Sequence, residues 1–238
     1  MLFYYVRHGD PIYSPDSLTP LGHRQAEAVA HRLALHGIDE IYSSTSNRAI
    51  LTATPTSEIL KKEIKLLDFA NEGHAWAELT TDTPDGKRWL FHAKDTRALF
   101  HREDVTALGH NWYNHPDFAG YDYKAGMDRI LGEANAFFAS LGYEHEARSG
   151  RYKITEKNNK KIALFAHQGF GLAFLSCVLD IPYPIFSTHF DFTHTGVTVI
   201  EFGDEGDGYS IPRVLTVSSE AHIYKEGLPT KYSNAFYY

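Results

Sequence analysis

The chain has 238 residues, of which 43% are hydrophobic and 22% are charged, enough to bury one large core. Its formal net charge of -7 and its lack of a basic block argue against a nucleic-acid partner, and no apolar run is long enough to span a membrane. One cysteine, Cys177, excludes an internal disulfide framework, and 14 scattered histidines without a Cys/His cluster form no metal-binding motif. The first strand begins almost at Met1 without a signal segment, so we expect a cytoplasmic protein with no membrane contact.

Strand-like and helix-like segments alternate along the chain. Runs typical of buried strands lie at 2–6, 39–43, 64–67, 162–166, 197–202 and 213–218. Segments with the apolar spacing of a helix lie at 20–36, 46–62, 127–141 and 170–180. This alternation favours a three-layer α/β/α sandwich built around a mostly parallel sheet.

Residues 70–125 break this alternation. They hold all three tryptophans and five of the histidines, with few apolar repeats. A stretch of this length is usually an inserted cap or a set of functional loops, so we expect one domain over 1–238 with a cap whose tryptophans mostly pack within it. The polar segment 143–160 is predicted to be a loop and 203–210 a hairpin turn, and the tyrosine-rich tail 222–238 is expected to pack on the body or on a partner.

Three strand-to-helix junctions carry side chains suited to an anion. Arg7 and His8 follow the first strand, Arg48 lies in the first turn of the helix after strand 39–43, and His167 follows strand 162–166. Ligands of open α/β sheets bind beyond the carboxyl ends of the strands, so we expect all four side chains to face one cleft. The N-terminus of the helix after His167 adds backbone N–H groups that suit a phosphate or a carboxylate.

These residue types point to phosphoryl transfer. Two arginines can hold a phosphoryl group through paired N–H donors, and their charge lowers the pKa of a nearby imidazole. A neutral imidazole is the nucleophilic form, and phosphoryl transfer mainly needs positioning and charge stabilisation, which these side chains can supply without a metal or a cofactor. The reaction also needs an acid that protonates the leaving oxygen.

Four short motifs follow one another along the chain: RHG at 7–9, LTPLGHRQA at 18–26, STSNRAILTA at 44–53 and HQG at 167–169. In sequence and order they resemble the motifs of the histidine phosphatase superfamily, also called the phosphoglycerate mutase-like family. The resemblance covers the core of the chain, and it implies the phosphoglycerate mutase-like three-layer fold.

The resemblance also implies roles for individual residues. His8 would be the nucleophile and would become phosphorylated on a ring nitrogen. Arg7, Arg48 and His167 would form the phosphate pocket with it, and His167 would share in catalysis.

In such proteins a carboxyl group early in the inserted segment protonates the leaving group and then activates water. Glu72 is the preferred candidate here, with Asp68 and Glu78 as alternatives. The family's Leu-x-Glu spacing is not kept after Leu67, so the resemblance does not decide among the three carboxylates.

The predicted function is metal-independent hydrolysis of a small phosphomonoester through phosphohistidine, with a small phosphorylated metabolite as partner. One alternative is a phosphoglycerate mutase, although Asp10-Pro11 stands where mutases of this family carry Glu-Ser. Another is a binding module for phosphorylated ligands that has lost catalysis. Six Lys/Arg against nine Asp/Glu in residues 70–125 favour small monoesters over highly phosphorylated substrates. The sequence leaves the oligomeric state open.

Overall fold

The computed structural model describes residues 1–230 and 232. Its strands are β1 (Leu2–Arg7), β2 (Pro11–Tyr13), β3 (Asp16–Leu18), β4 (Glu40–Ser44), β5 (Ile64–Leu67), β6 (Thr80–Thr83), β7 (Gly86–Trp89), β8 (Tyr143–Glu146), β9 (Arg151–Ile154), β10 (Lys161–Ala166), β11 (Val197–Glu201), β12 (Tyr209–Ser210) and β13 (Arg213–Ser219). Its α-helices are α1 (Pro20–His36), α2 (Asn47–Leu60), α3 (Glu72–Glu78), α4 (Lys94–Phe100), α5 (Glu103–Thr106), α6 (Tyr123–Ser140), α7 (Gln168–Val178), α8 (Tyr183–His189) and α9 (Ala221–Lys225). Short 3₁₀ turns lie at Asp68–Ala70, Gly109–Asn114 and Pro116–Phe118.

The central sheet has six strands in the order β13-β11-β1-β10-β4-β5. The pairs β1–β10, β10–β4 and β4–β5 are parallel, whereas β11 runs antiparallel to both β1 and β13. These are the six strands that the sequence predicted, and the sheet is mostly parallel, so the predicted fold class is confirmed.

Both faces of the central strands β1, β10 and β4 are buried, and the side chains along each strand alternate between the two faces. On β1, Phe3 and Tyr5 pack into a core with α6 and α7, while Tyr4 and Val6 pack into a second core with α1 and α2. Burial on both faces explains the long apolar run at the start of the sequence. Helices cover both faces of the sheet, so the molecule has three layers.

Local signals set the bounds of α1 where the sequence predicted them. Thr19 is the N-cap residue, and its side chain accepts a hydrogen bond from the backbone N–H of Gly22 at 3.0 Å. Pro20 occupies the first turn, where a missing N–H costs nothing. Gly37 ends the helix in the left-handed conformation, with φ of 71°.

The predicted loop at 143–160 is wrong. Here β8 and β9 pair as an antiparallel hairpin, and β12 adds a third strand to it. The aromatic rings of Tyr143 and Tyr152 are buried in the main core, whereas Glu144, Arg148 and Arg151 between them are exposed. The period-two pattern was hidden by this polar outer face. The segment 203–210 does connect the antiparallel strands β11 and β13, but its last residues pair with β9 rather than forming only a turn.

The predicted cap, 70–125, contains α3 to α5, the β6–β7 hairpin and two of the 3₁₀ turns. Its apolar side chains join the main core: Trp112 is 1% exposed and stacks on Tyr183 of α8 with ring centroids 5.7 Å apart. The segment therefore rests on the body of the molecule through a continuous apolar contact.

The beginning of the tyrosine-rich tail packs on the body, where Ile223 of α9 lies against Ala28 of α1. Residues 231 and 233–238 of that tail lie outside the described residues. Within the described part of the chain, none of the helices has the length and apolar character that a membrane crossing needs.

Replacement by alanine is expected to change the free energy of unfolding in opposite directions at two helical glycines. A Cβ on Gly22 would lie 2.2 Å from the carbonyl oxygen of Asp10, whereas no described atom lies within 4 Å of a Cβ on Gly132 in α6. We expect Gly22→Ala to lower the free energy of unfolding by about 1–3 kcal/mol through overpacking. Gly132→Ala should raise it by up to about 1 kcal/mol, because alanine loses less backbone entropy. Urea denaturation measures both, and equal effects would contradict the close approach of the Asp10 loop to α1.

Candidate active site

The register of the parallel strands brings the three predicted junctions together. Arg7 at the end of β1 pairs with Ala166 at the end of β10, and Phe165 of β10 pairs with Ser43 of β4. The turns that follow these strands therefore lie side by side at one sheet edge. They open onto a cavity of about 650 Å³, whose wall includes Arg7, His8, Arg48 and Glu72.

The His8 imidazole is held as a neutral ring with a defined tautomer. Its Nδ1 lies 2.7 Å from the carbonyl oxygen of Gly9, which can only accept, so Nδ1 carries the proton and Nε2 keeps its lone pair. Burial lowers the pKa of His8 well below its ordinary value, and the neighbouring His167, Arg7 and Arg48 side chains lower it further. The arginine effect predicted from sequence is present, but burial has the larger influence.

His167 lies buried next to His8, with ring centroids 5.2 Å apart. Arg48 Nη2 donates to His167 Nδ1 at 3.1 Å, so the Nε2 proton is donated to Ser44 Oγ at 2.8 Å. The backbone of His167 is fixed by the Tyr5 hydroxyl, which donates to its carbonyl oxygen at 2.6 Å. Burial, followed by the charges of Arg48 and Arg7, lowers the pKa of His167 well below its ordinary value. Two neutral histidines therefore stand beside two guanidinium groups.

The arginines are held by partners on both sides of the cavity. Arg48 Nη1 donates to Asp16 Oδ1 at 2.8 Å, which orients the guanidinium between Asp16 and His167. Arg7 is 6% exposed and donates to the backbone carbonyl oxygen of Phe192. Fixed guanidinium groups suit an anion with several oxygens, because little side-chain entropy is lost when it binds.

Glu72 opens α3 and reaches across to the start of α7. Its two carboxylate oxygens accept hydrogen bonds from the backbone N–H groups of Gly169 and Phe170, each at 3.0 Å. Burial raises the pKa of Glu72 above its ordinary value, although these two bonds oppose the shift. The N-terminal N–H groups of α7, predicted to suit a phosphate or a carboxylate, are thus engaged by a carboxylate of the protein itself.

The other two carboxylates considered from sequence lie elsewhere. Asp68 is 76% exposed on its side chain, and its hydrogen bonds with His74 and Thr45 lower its pKa. Glu78 forms an ion pair with Arg129, with both of its oxygens at 2.6 Å from guanidinium nitrogens. Among the three, Glu72 is the one that the described cavity wall includes.

The structure adds residues that the sequence did not indicate. Asp16 and Tyr13 reach the cavity from the β2–β3 hairpin, and the ring of His194 lies 5.7 Å from that of His8. A signal for His194 was available, because the strand after it pairs antiparallel with β1 and must begin beside the end of β1. Of the tryptophans, Trp112 packs in the core as predicted, but Trp76 and Trp89 line the cavity.

Over residues 1–230 and 232, no group of three or more His, Cys, Asp or Glu side chains has an arrangement that could hold a metal ion. The polar wall of the cavity consists instead of guanidinium, imidazole, carboxyl, hydroxyl and amide groups.

Comparison with known proteins finds similarity to one family and to several solved structures. Residues 3–110 match the model of the histidine phosphatase superfamily, branch 1. The fold resembles a mutant phosphoserine phosphatase from Entamoeba histolytica in complex with phosphoserine, with a TM-score of 0.59 and 18% identity over 93% of this chain and 98% of that one. It also resembles a mycobacterial glucosyl-3-phosphoglycerate phosphatase, with a TM-score of 0.56 and 16% identity over 92% of this chain and 98% of that one. A search among curated proteins finds no match. Residues 3–110 thus resemble the histidine phosphatase superfamily in sequence, and the chain shares the fold of these phosphatases.

Replacing Arg48 by lysine tests whether the cavity holds an oxyanion. Lysine keeps the charge but cannot bond Asp16, His167 and an anion together, so we expect inorganic phosphate to bind about 10- to 100-fold more weakly. Arg102→Lys is the matched control, because Arg102 is 49% exposed on its side chain and pairs with Asp104 and Asp117 in the predicted cap. Calorimetric titration with phosphate measures both. Equal affinities of the two variants would contradict this role for Arg48.

Proposed function

We propose that the protein hydrolyses a small phosphomonoester through a phosphohistidine formed on His8. The observation that carries this proposal is the neutral imidazole of His8, with its Nδ1 proton bound to Gly9 and its Nε2 lone pair available at a cavity wall that holds two arginines. An imidazole in this state is a nucleophile, and the guanidinium groups can stabilise the charge on the transferring phosphoryl oxygens.

In the first step, His8 Nε2 uses its lone pair to form a bond to phosphorus. The bond between phosphorus and the ester oxygen breaks, and the departing oxygen takes a proton from the Glu72 carboxyl group. The raised pKa of Glu72 supports this role, because it increases the fraction of the group that holds a proton.

In the second step, a water oxygen attacks phosphorus while the Glu72 carboxylate accepts one of its protons. The bond between Nε2 and phosphorus breaks, and its electron pair returns to the imidazole. Inorganic phosphate leaves, and both His8 and Glu72 return to their starting protonation states. Arg7, Arg48 and His167 hold the phosphoryl group through both steps.

The His8→Ala variant tests the nucleophile. We expect it to lose phosphatase activity by at least about a thousandfold and to take up no acid-labile, base-stable phosphate from a ³²P-labelled monoester. His189→Ala, at an exposed histidine on α8, is the control and should keep both properties. Labelling of the His8→Ala variant at the level of the unchanged protein would refute the mechanism.

The ³²P-labelling assay also separates a phosphatase from the two alternatives, a phosphoglycerate mutase and a binding module. Transfer of label to 3-phosphoglycerate, with a bisphosphoglycerate primer, in preference to water would identify a mutase instead. Tight binding of phosphate without turnover of any monoester would identify a binding module.

The Glu72→Gln variant tests the acid and base. With 4-nitrophenyl phosphate, whose leaving group needs no proton, we expect a burst of about one nitrophenolate per chain and then slow turnover, because the second step lacks its base. With an alkyl phosphate even the first step should be slow. Asp68→Asn and Glu78→Gln are the controls and should turn over both substrates without a burst. A burst in either control, and none in Glu72→Gln, would move the role to that residue.

The pH dependence follows from the two pKa shifts. His8 must be neutral, so activity falls as pH drops through its pKa, which lies below the ordinary 6.5. Glu72 must be protonated for the first step with an alkyl phosphate, so activity falls as pH rises through its pKa, which lies above the ordinary 4.5. We expect a bell-shaped profile of kcat/KM with its maximum in the acidic range. A maximum above pH 8 would contradict these assignments.

A further inference from the structure

If the protein acts as proposed above, the cavity wall beyond the phosphate position contacts the leaving group of the substrate, and its residues determine which leaving groups fit. Trp76 lies four residues after Glu72 on α3, and side chains at this spacing share one helix face. A leaving group that takes its proton from Glu72 therefore extends toward Trp76. This tryptophan is 38% exposed and lines the cavity.

Trp76 is a fixed surface. Its ring meets that of Trp89 at 84° with centroids 5.0 Å apart, and Trp89 stacks on Phe91 at 5.6 Å. Trp89 in turn packs against the start of α7, where a Cβ on Gly169 would lie 2.5 Å from its ring. A planar group that stacks on Trp76 thus meets a ring whose position is already set, which lowers the entropic cost of binding.

The charges of the cavity disfavour a leaving group with a negative charge of its own. Among the described residues of the wall, the cationic side chains are Arg7 and Arg48, and both are assigned to the phosphoryl group. Asp16 adds a carboxylate to the same wall, with its side chain 31% exposed. A second anion on the substrate would meet this carboxylate without a further cation to offset it.

Two side-chain amides of the wall, those of Asn47 and Asn71, are engaged within the protein. The side-chain amide of Asn47 donates to the Asp16 carbonyl oxygen at 2.7 Å, and that of Asn71 donates to Thr45 Oγ1 at 2.8 Å. A leaving group rich in hydroxyl groups would have to replace these bonds, whereas an aromatic ring would leave them in place.

From these contacts we propose that the substrate is a phosphomonoester whose leaving group is a planar aromatic group without a second negative charge. Trp76 is the platform on which this group stacks, and Asp16 is the residue that discriminates against acidic leaving groups. Trp76 and Asp16 discriminate between substrates only through the leaving group, since the phosphoryl group is the same in every monoester.

Three substrates with primary alcohol leaving groups test the proposal: benzyl phosphate, propyl phosphate and 4-carboxybenzyl phosphate. We expect kcat/KM for benzyl phosphate to exceed that for each of the others by about tenfold or more. Trp76→Ala should reduce the ratio of kcat/KM for benzyl phosphate to kcat/KM for propyl phosphate by about tenfold. Trp76→Phe should restore most of the ratio, and Tyr224→Ala, at a 90% exposed aromatic residue on α9, should leave it unchanged.

The Asp16→Asn variant tests the second half of the proposal. Asp16 also orients Arg48, so the variant is expected to lose activity toward all three substrates, and the readout is a ratio in which this loss cancels. We expect kcat/KM for 4-carboxybenzyl phosphate relative to benzyl phosphate to rise about five- to tenfold at low salt. An unchanged ratio would refute the role of Asp16, and a ratio of benzyl to propyl phosphate that Trp76→Ala does not alter would refute the platform.

Binding separates a failure of this proposal from a failure of the proposed hydrolysis. The His8→Ala variant should bind benzyl phosphate about tenfold more tightly than propyl phosphate by calorimetry, and adding Trp76→Ala should remove the difference. This preference in a protein that hydrolyses none of the three esters would support the leaving-group site and refute the phosphatase. Hydrolysis of all three esters with equal kcat/KM would support the phosphatase and refute the leaving-group site.

Discussion

The parallel pairing of β1, β10 and β4 is the constraint on which the rest of the site depends. In a parallel sheet, neighbouring strands end at the same edge, and the register here aligns Arg7 with Ala166 and Phe165 with Ser43. Three segments far apart in sequence therefore deliver an imidazole, two guanidinium groups and a second imidazole to one cavity. Both faces of these strands are buried, and a shift in register would exchange the two faces and expose their apolar side chains. The same apolar packing that stabilises the sheet thus fixes the geometry of the site.

Burial also determines the charge of the site. It keeps His8 and His167 neutral beside Arg7 and Arg48, so that the cluster carries two positive charges rather than four. This is a favourable state for binding an oxyanion, because the His8 imidazole keeps its lone pair while the positive charge is concentrated on donors with fixed geometry.

Glu72 connects the cluster of His8, His167, Arg7 and Arg48 to the segment at 70–125. Its carboxylate caps α7 through Gly169 and Phe170, which places it directly after His167 in space although it lies about a hundred residues earlier in the chain. Removal of this carboxylate would leave two N–H groups at a helix start without their partner, so the position of α3 against α7 and the position of the acid are coupled. One turn further along α3, Trp76 lies on the same helix and lines the same cavity as Glu72.

The sequence by itself determined the strands of the sheet, its major helices and the resemblance of residues 3–110 to the histidine phosphatase superfamily. These follow from local patterns: the apolar runs of β1 and β10, the Thr19 cap and Gly37 end of α1, and motifs confined to strand ends. The β8–β9 hairpin was missed because its outer face is polar, and a polar segment is also typical of a loop. Only the tertiary structure placed Asp16, Trp76 and Trp89 at the cavity, and only it separated Glu72 from Asp68 and Glu78. The physical reason is that strand and helix patterns depend on neighbours within a few residues. The wall of a cavity instead depends on how hairpins and short helices from distant parts of the chain pack against one sheet edge.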